Sequence, residues 1–93
     1  MSRIGFIGMG AMGQPMGHLL HQAGHTLVIR DTHAAAVEKF SAGHPGTVVA
    51  QGAADFAGCD LLITMLPNSD IVDAVVREVA PALKAGACVM FCE

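Results

Sequence analysis

Glycines at positions 8, 10 and 13 form the run Gly8-Met9-Gly10-Ala11-Met12-Gly13, a G-x-G-x-x-G pattern that follows a short apolar segment and opens an amphipathic one. In that context each glycine has its own physical task. Gly8 permits a tight turn, Gly10 lets the backbone approach a pyrophosphate, and Gly13 lets a helix pack closely on the preceding strand. A diphosphate placed there meets unsatisfied backbone N–H groups and the positive end of the helix dipole. Asp31 ends the next apolar run, 18 residues beyond Gly13. That is close to the spacing expected of an acid that accepts hydrogen bonds from an adenosine ribose. A carboxylate there repels a 2′-phosphate, so the pattern favours NAD over NADP. Arg30 is adjacent, but side chains alternate along a strand and its charge is expected to point elsewhere.

Other reactive side chains give weaker patterns. His18, His21 and His25 fall at i, i+3 and i+7, yet no acid or cysteine completes a ligand set. A solvent-facing helix surface is the expectation, and no metal site is assigned. Met9, Met12 and Met16 suggest thioether packing beside a ligand and the core rather than a soft-metal site. Cys59, Cys88 and Cys92 lack C-x-x-C spacing and are read as reduced, buried or half-buried thiols, with Cys88 and Cys92 on one side of a strand. Asn68 suits either a helix cap or a ribose contact.

The elements that must position these residues alternate as parallel α/β units do. Strands are expected at Arg3–Ile7, Thr26–Ile29, Thr47–Ala50, Asp60–Leu66 and Ala87–Cys92. The fourth contains the unbroken run Leu61-Leu62-Ile63-Thr64-Met65-Leu66, as in a strand covered on both faces. Helices are expected at Gln14–Gln22 and His33–Ala42, with a helical turn at Ala53–Ala57 and a third helix capped by Pro67-Asn68-Ser69-Asp70. The inward stripes are Met12, Met16, Leu19, Leu20 and Ala23 on the first helix, and Ala36, Val37 and Phe40 on the second. On the third they are Ile71, Val72, Val75, Val76 and Val79. The fold class that follows is a Rossmann-type parallel sheet with helices on both faces, stopping after about five strands.

Composition sets the outer bounds. The 93 residues are 53% hydrophobic and 14% charged, with a net charge of −3, which does not suit a nucleic-acid surface. No apolar run has the roughly 18 residues of a membrane span, and no secretory leader opens the chain, so a cytoplasmic location is expected. A small domain this apolar is expected to leave surface exposed and to self-associate or dissolve poorly.

Ile4-Gly5-Phe6-Ile7-Gly8-Met9-Gly10-Ala11-Met12-Gly13-Gln14-Pro15-Met16 resembles the opening of the β-hydroxyacid dehydrogenases. That family includes 3-hydroxyisobutyrate dehydrogenases and tartronate semialdehyde reductases and is related to 6-phosphogluconate dehydrogenase. The likeness continues through Ala23-Gly24-His25, Thr64-Met65-Leu66-Pro67 and Leu83-Lys84-Ala85-Gly86, covering essentially the whole chain. The resemblance implies that Met12 and the Met65-Leu66-Pro67 loop line a dinucleotide on its way to the nicotinamide. It also implies that Asp31-Thr32 holds the position of the acid in NAD-preferring members. NADP users resemble Asn-Arg-Thr at that point, whereas Arg30-Asp31-Thr32 stands here.

The departures are equally informative. Family members resemble Asp-x-Ser-Thr at the end of the fifth strand, where Phe91-Cys92-Glu93 stands here. The family's catalytic lysine belongs to a later helix, at the junction with an all-helical domain, and neither Lys39 nor Lys84 has that context. No catalytic residue carries over. Residues 1–93 are therefore expected to be the dinucleotide-binding part of an oxidoreductase acting on a small 3-hydroxy acid or its semialdehyde, without the helical catalytic domain. The alternative is a non-catalytic fragment or mis-read frame without activity. A methyltransferase using S-adenosylmethionine shares the first loop and the strand-two acid, but not the Met12-to-Met16 continuation or the Met65-Leu66-Pro67 loop.

Overall fold

The computed structural model describes residues 2–9, 13–66 and 69–92. Strands β1 (Arg3–Ile7), β2 (Thr26–Arg30), β3 (Val48–Val49), β4 (Leu61–Met65) and β5 (Cys88–Cys92) form one sheet in the order β3-β2-β1-β4-β5. Every neighbouring pair is parallel, with Ile7 level with Arg30 on one side and with Thr64 on the other. Helices α1 (Gly13–Gln22), α2 (Ala34–Gly43) and α3 (Ser69–Val79) make crossovers, and one-turn 3-10 helices occupy Ala53–Phe56 and Ala80–Ala82. This is the expected Rossmann-type arrangement.

Strand alternation divides the core between the two faces of the sheet. Ile4, Phe6, Leu27, Ile29 and Ile63 pack beneath α1 and α2 with Met9, Val37 and Phe40. Ile7, Val28 and Leu62 face the other way, toward Phe56, Cys59 and Val79, where Val75, Val76 and Leu83 join them. The continuous apolar run in β4 is thus used on both faces, and Leu62, Ile63 and Thr64 are all buried.

Two apolar stripes differ from expectation. On α1 the buried positions are Gly13 and Gly17, flanked by half-buried Met16 and Leu20, whereas Leu19 is 64% exposed and Ala23 is exposed beyond the helix end. The helix rests on the sheet through its glycines, which a search for large side chains does not register, and this turns Leu19 outward. On α3, Ile71 is 41% exposed because it fronts a cleft rather than the core. β3 shortens from the expected Thr47–Ala50 to two residues, as suits an edge strand. Apolar surface is left open at Leu19, Val49, Ile71 and Met90. No helix among the described residues is long and apolar enough to cross a membrane.

The thiols divide by environment. Cys59 is fully buried beside the 3-10 turn, and burial pushes its thiol up despite the opposing pull of the Arg3 guanidinium. Cys88 is exposed on the edge strand. A thiol reagent at pH 8 is therefore expected to modify Cys88 within minutes and Cys59 only on unfolding. Peptide mapping of the labelled chain, with and without denaturant, checks this.

Candidate functional site

The carboxyl ends of β1, β2 and β4 meet where the sheet order reverses, with β2 on one side of β1 and β4 on the other. In open parallel sheets, ligands enter the crevice at this switch point. Gly8 leaves β1 with φ +105°, and a side chain there would place its Cβ 2.3 Å from the Met65 carbonyl oxygen. The Gly8 N–H donates to the Arg30 carbonyl at 2.9 Å, so the three strand ends are drawn together at one residue. Gly13 opens α1 so close to this turn that a Cβ would lie 2.1 Å from the Gly8 carbonyl oxygen.

Asp31 ties the glycine turn to α2. Its Oδ2 accepts from the Met9 N–H at 2.5 Å and its Oδ1 from the His33 N–H at 2.9 Å. Partial burial alone would push this carboxyl up. The His33 and Met9 N–H groups, helped by the His33 side chain, outweigh that and hold it below the ordinary 3.8. The carboxylate has about four lone-pair directions, so these two backbone contacts leave acceptor capacity for a ligand. Thr32 is exposed beside it, its hydroxyl 3.4 Å from Asp31 Oδ1.

A cleft of about 300 Å³ opens next to this carboxylate, lined by Ile7, Arg30, Asp31, Thr32, Leu66, Ile71 and Val75. Its walls are aliphatic and its rim is charged, a combination suited to a flat heterocycle carrying a hydroxylated sugar. Arg30 is turned toward α3, where its Nη1 donates to Glu78 Oε2 at 3.1 Å. It nevertheless shares the cleft with Asp31, so the expectation that it points elsewhere holds for its partner but not for its position.

Of the twelve residues singled out from sequence, Gly8, Asp31, Thr32 and Leu66 come together at the cleft or the turn beneath it, with Gly13 behind. Met9 contributes its backbone N–H, while its side chain is fully buried among Phe6, Phe40 and the first core cluster. Met65 packs toward that same cluster and Leu66 toward the other, so the two split across the sheet. Gly10, Ala11, Met12, Pro67 and Asn68 lie outside the described residues.

Sequence reasoning missed two positions that hold the site. Gln14 Nε2 donates to the Met9 carbonyl at 3.0 Å and the Ala36 carbonyl at 2.9 Å, clamping the glycine turn to α2. Glu78 is the other, through Arg30. Glu78 belongs to no motif, and Gln14, although it stands within the Ile4-to-Met16 segment, signals itself only as a polar side chain in the first turn of a helix that must dock.

The lysines lie elsewhere. Lys84 Nζ is 3.1 Å from Asp60 Oδ1, beside the amino ends of β4 and β5 and across the sheet from the cleft. Lys39 is exposed on α2. The histidines gather differently from expectation. His18 Nδ1 lies 2.8 Å from His44 Nε2, and His21 packs edge-on to the same ring. His25 is separate, with its Nδ1 accepting from the Ser2 N–H at 3.1 Å. Among the described residues no group of three or more potential ligands could hold a metal ion.

A family model for the NAD binding domain of 6-phosphogluconate dehydrogenase matches residues 3–92. The chain belongs to that family. Within the NAD-binding family it is similar to β-hydroxyacid dehydrogenases over their amino-terminal part, as the sequence motifs implied. It is 42% identical over 78 residues to 3-sulfolactaldehyde reductase of Escherichia coli, covering 82% of this chain and 25% of that protein. It is 41% identical over 75 residues to mitochondrial 3-hydroxyisobutyrate dehydrogenase of Drosophila melanogaster, covering 81% and 23%. The solved 3-hydroxyisobutyrate dehydrogenase of Mycobacterium tuberculosis superposes with a TM-score of 0.86 at 33% identity, covering 98% of this chain and 31% of that one. The chain thus spans about a quarter to a third of the length of these relatives. This NAD-binding domain takes a nicotinamide dinucleotide as its cofactor, and the described residues around Asp31 fit one. The acceptor capacity that Asp31 keeps at the edge of the aliphatic cleft is a feature a dinucleotide's ribose requires.

Proposed function

We propose that residues 1–93 bind NAD+ in preference to NADP+ and position it for an oxidoreductase acting on a small 3-hydroxy acid or the corresponding semialdehyde. The observation that carries the reading is the ionised Asp31 carboxylate at the rim of an aliphatic cleft, directly tied to the glycine turn. When bound, the nicotinamide supplies hydride transfer; the residues named here bind and orient. In this reading Gly8 and Met9 hold the turn through their N–H bonds to Arg30 and Asp31. Gly10, Ala11, Met12 and Gly13 present backbone to the diphosphate, and the start of α1 faces it with its positive dipole end. Asp31 and Thr32 take the ribose hydroxyls, and Leu66 with Ile71 and Val75 encloses the adenine. Met65, Pro67 and Asn68 belong to the loop leading toward the nicotinamide.

The acid–base group of the reaction comes from outside these 93 residues. Supporting this, Lys84 is engaged by Asp60 beyond the far end of the sheet, and Lys39 is on the outer surface of α2. Calorimetric titration of the purified chain tests the cofactor reading. Saturable NAD+ binding, with NADP+ at least about tenfold weaker, is expected, since about 1.4 kcal/mol of charge repulsion gives that ratio. A chain that shows a folded α/β circular dichroism spectrum and no NAD+ binding refutes it.

A further inference from the structure

Arg30 and Asp31 are consecutive at the carboxyl end of β2, opposite in charge, and both line the cleft. A carboxylate there favours ribose hydroxyls, whereas a guanidinium within reach of the 2′ position favours a phosphate. The sequence therefore places two opposing charges side by side, and in the structure Arg30 is engaged away from Asp31. Arg30 Nη1 donates to Glu78 Oε2 at 3.1 Å, a contact between residues 48 apart in sequence. Both ends of this ion pair leave rigid elements. Arg30 is level with Ile7 in the sheet, and Glu78 precedes Val79, whose side chain is fully buried.

We infer that Glu78 is a specificity-determining residue: by engaging Arg30 on the α3 side, it withholds a cation from the 2′ position and leaves Asp31 as the governing charge. The inference rests on the cofactor reading above and names its control element. The pair is partly open to solvent, with 35% and 47% of the two side chains exposed, so Glu78 acts by direction rather than by deep burial. Its loss leaves the fold intact and the Arg30 side chain free to swing across the rim. The His33 ring also lies near Asp31, its Nδ1 3.5 Å from Oδ1, and it is the same in every variant compared.

The experiment is a set of dissociation constants for NAD+ and NADP+, by calorimetry on the full chain at pH 8 and about 0.05 M salt, low enough to limit screening. Glu78→Gln is expected to tighten NADP+ by about three- to tenfold and to leave NAD+ within about twofold, the scale of a partly exposed charge contact. Glu78→Lys, which repels Arg30 from α3, moves the ratio further in the same direction. Adding Arg30→Gln to Glu78→Gln returns NADP+ to its wild-type affinity. A ratio unmoved by both Glu78 variants, or a gain that survives the removal of Arg30, overturns the inference while NAD+ binding stands. A folded wild-type chain that binds neither dinucleotide overturns the cofactor reading and this inference together.

Discussion

Gly13→Ala is expected to destabilise the fold by about 3 kcal/mol and to abolish dinucleotide binding, because one methyl group forces α1 away from the turn it caps. The added Cβ would meet the Gly8 carbonyl oxygen at 2.1 Å and its carbon at 3.1 Å, with a Phe6 ring atom at 3.2 Å. The first two are backbone atoms of a residue fixed by its own hydrogen bond to Arg30. No rotamer change relieves such a contact. The helix has to move outward by about 1 Å, and the half-buried Met16 and Leu20 lose their fit to the core as it does. At about 4–8 °C per kcal/mol for a domain of this size, the melting temperature falls by roughly 12–24 °C.

Gly43→Ala provides the contrast within the same protein. Nothing lies within 4 Å of a Cβ at Gly43, and its backbone is helical at the end of α2. That replacement is expected to be neutral or to stabilise by up to about 1 kcal/mol through reduced freedom of the unfolded chain. Thermal and urea denaturation of the two variants decides the matter. A Gly13→Ala protein that melts within about 2 °C of wild type would show that α1 is not seated on the turn in this way.

This pair of glycines also shows what was legible in the sequence. Gly8 and Gly13 stood out because a motif places them between a strand and a helix, and Asp31 because it ends the following strand. Those are local features with a fixed period, and the sheet that joins them follows from short parallel units. Gly17 is not legible, since a buried glycine adds nothing to an apolar stripe, and the helical period points Leu19 inward in its place. The partners of Gln14, Arg30 and His18 were equally hidden. Each pairing joins elements far apart in sequence: Gln14 to Ala36, Arg30 to Glu78, and His18 to His44. Such contacts depend on how far a helix is rotated and how closely it approaches, which composition and periodicity do not encode. The cleft itself belongs to the same class, because Ile71 reads as core on a helical wheel and becomes a wall only once α3 is placed against β2.

Asp31 carries the second large effect, because one carboxylate serves both the turn and the proposed ligand. Asp31→Ala removes the acceptors for the Met9 and His33 N–H groups together with the charge facing the cleft. NAD+ affinity is expected to fall by about 10- to 100-fold, the equivalent of one charge-assisted hydrogen-bonding group at 1.5–3 kcal/mol. Stability is expected to fall by about 1–2 kcal/mol, since a partly buried N–H group loses its partner. Asp31→Asn separates the two roles. Its single carbonyl oxygen can serve Met9 or His33 but not both, and its amide no longer repels a 2′-phosphate, so discrimination against NADP+ should largely disappear. The pH dependence follows from the lowered carboxyl pKa. A group depressed in the folded state stabilises it above the ordinary 3.8, and that contribution is lost as the pH falls through the lower folded value. The stability difference between wild type and Asp31→Asn is therefore expected to stay constant from pH 8 to about 5 and to shrink only below 3.8. Urea melts across that range measure it. A difference that already declines near pH 6 would show that the Asp31 carboxylate does not account for it.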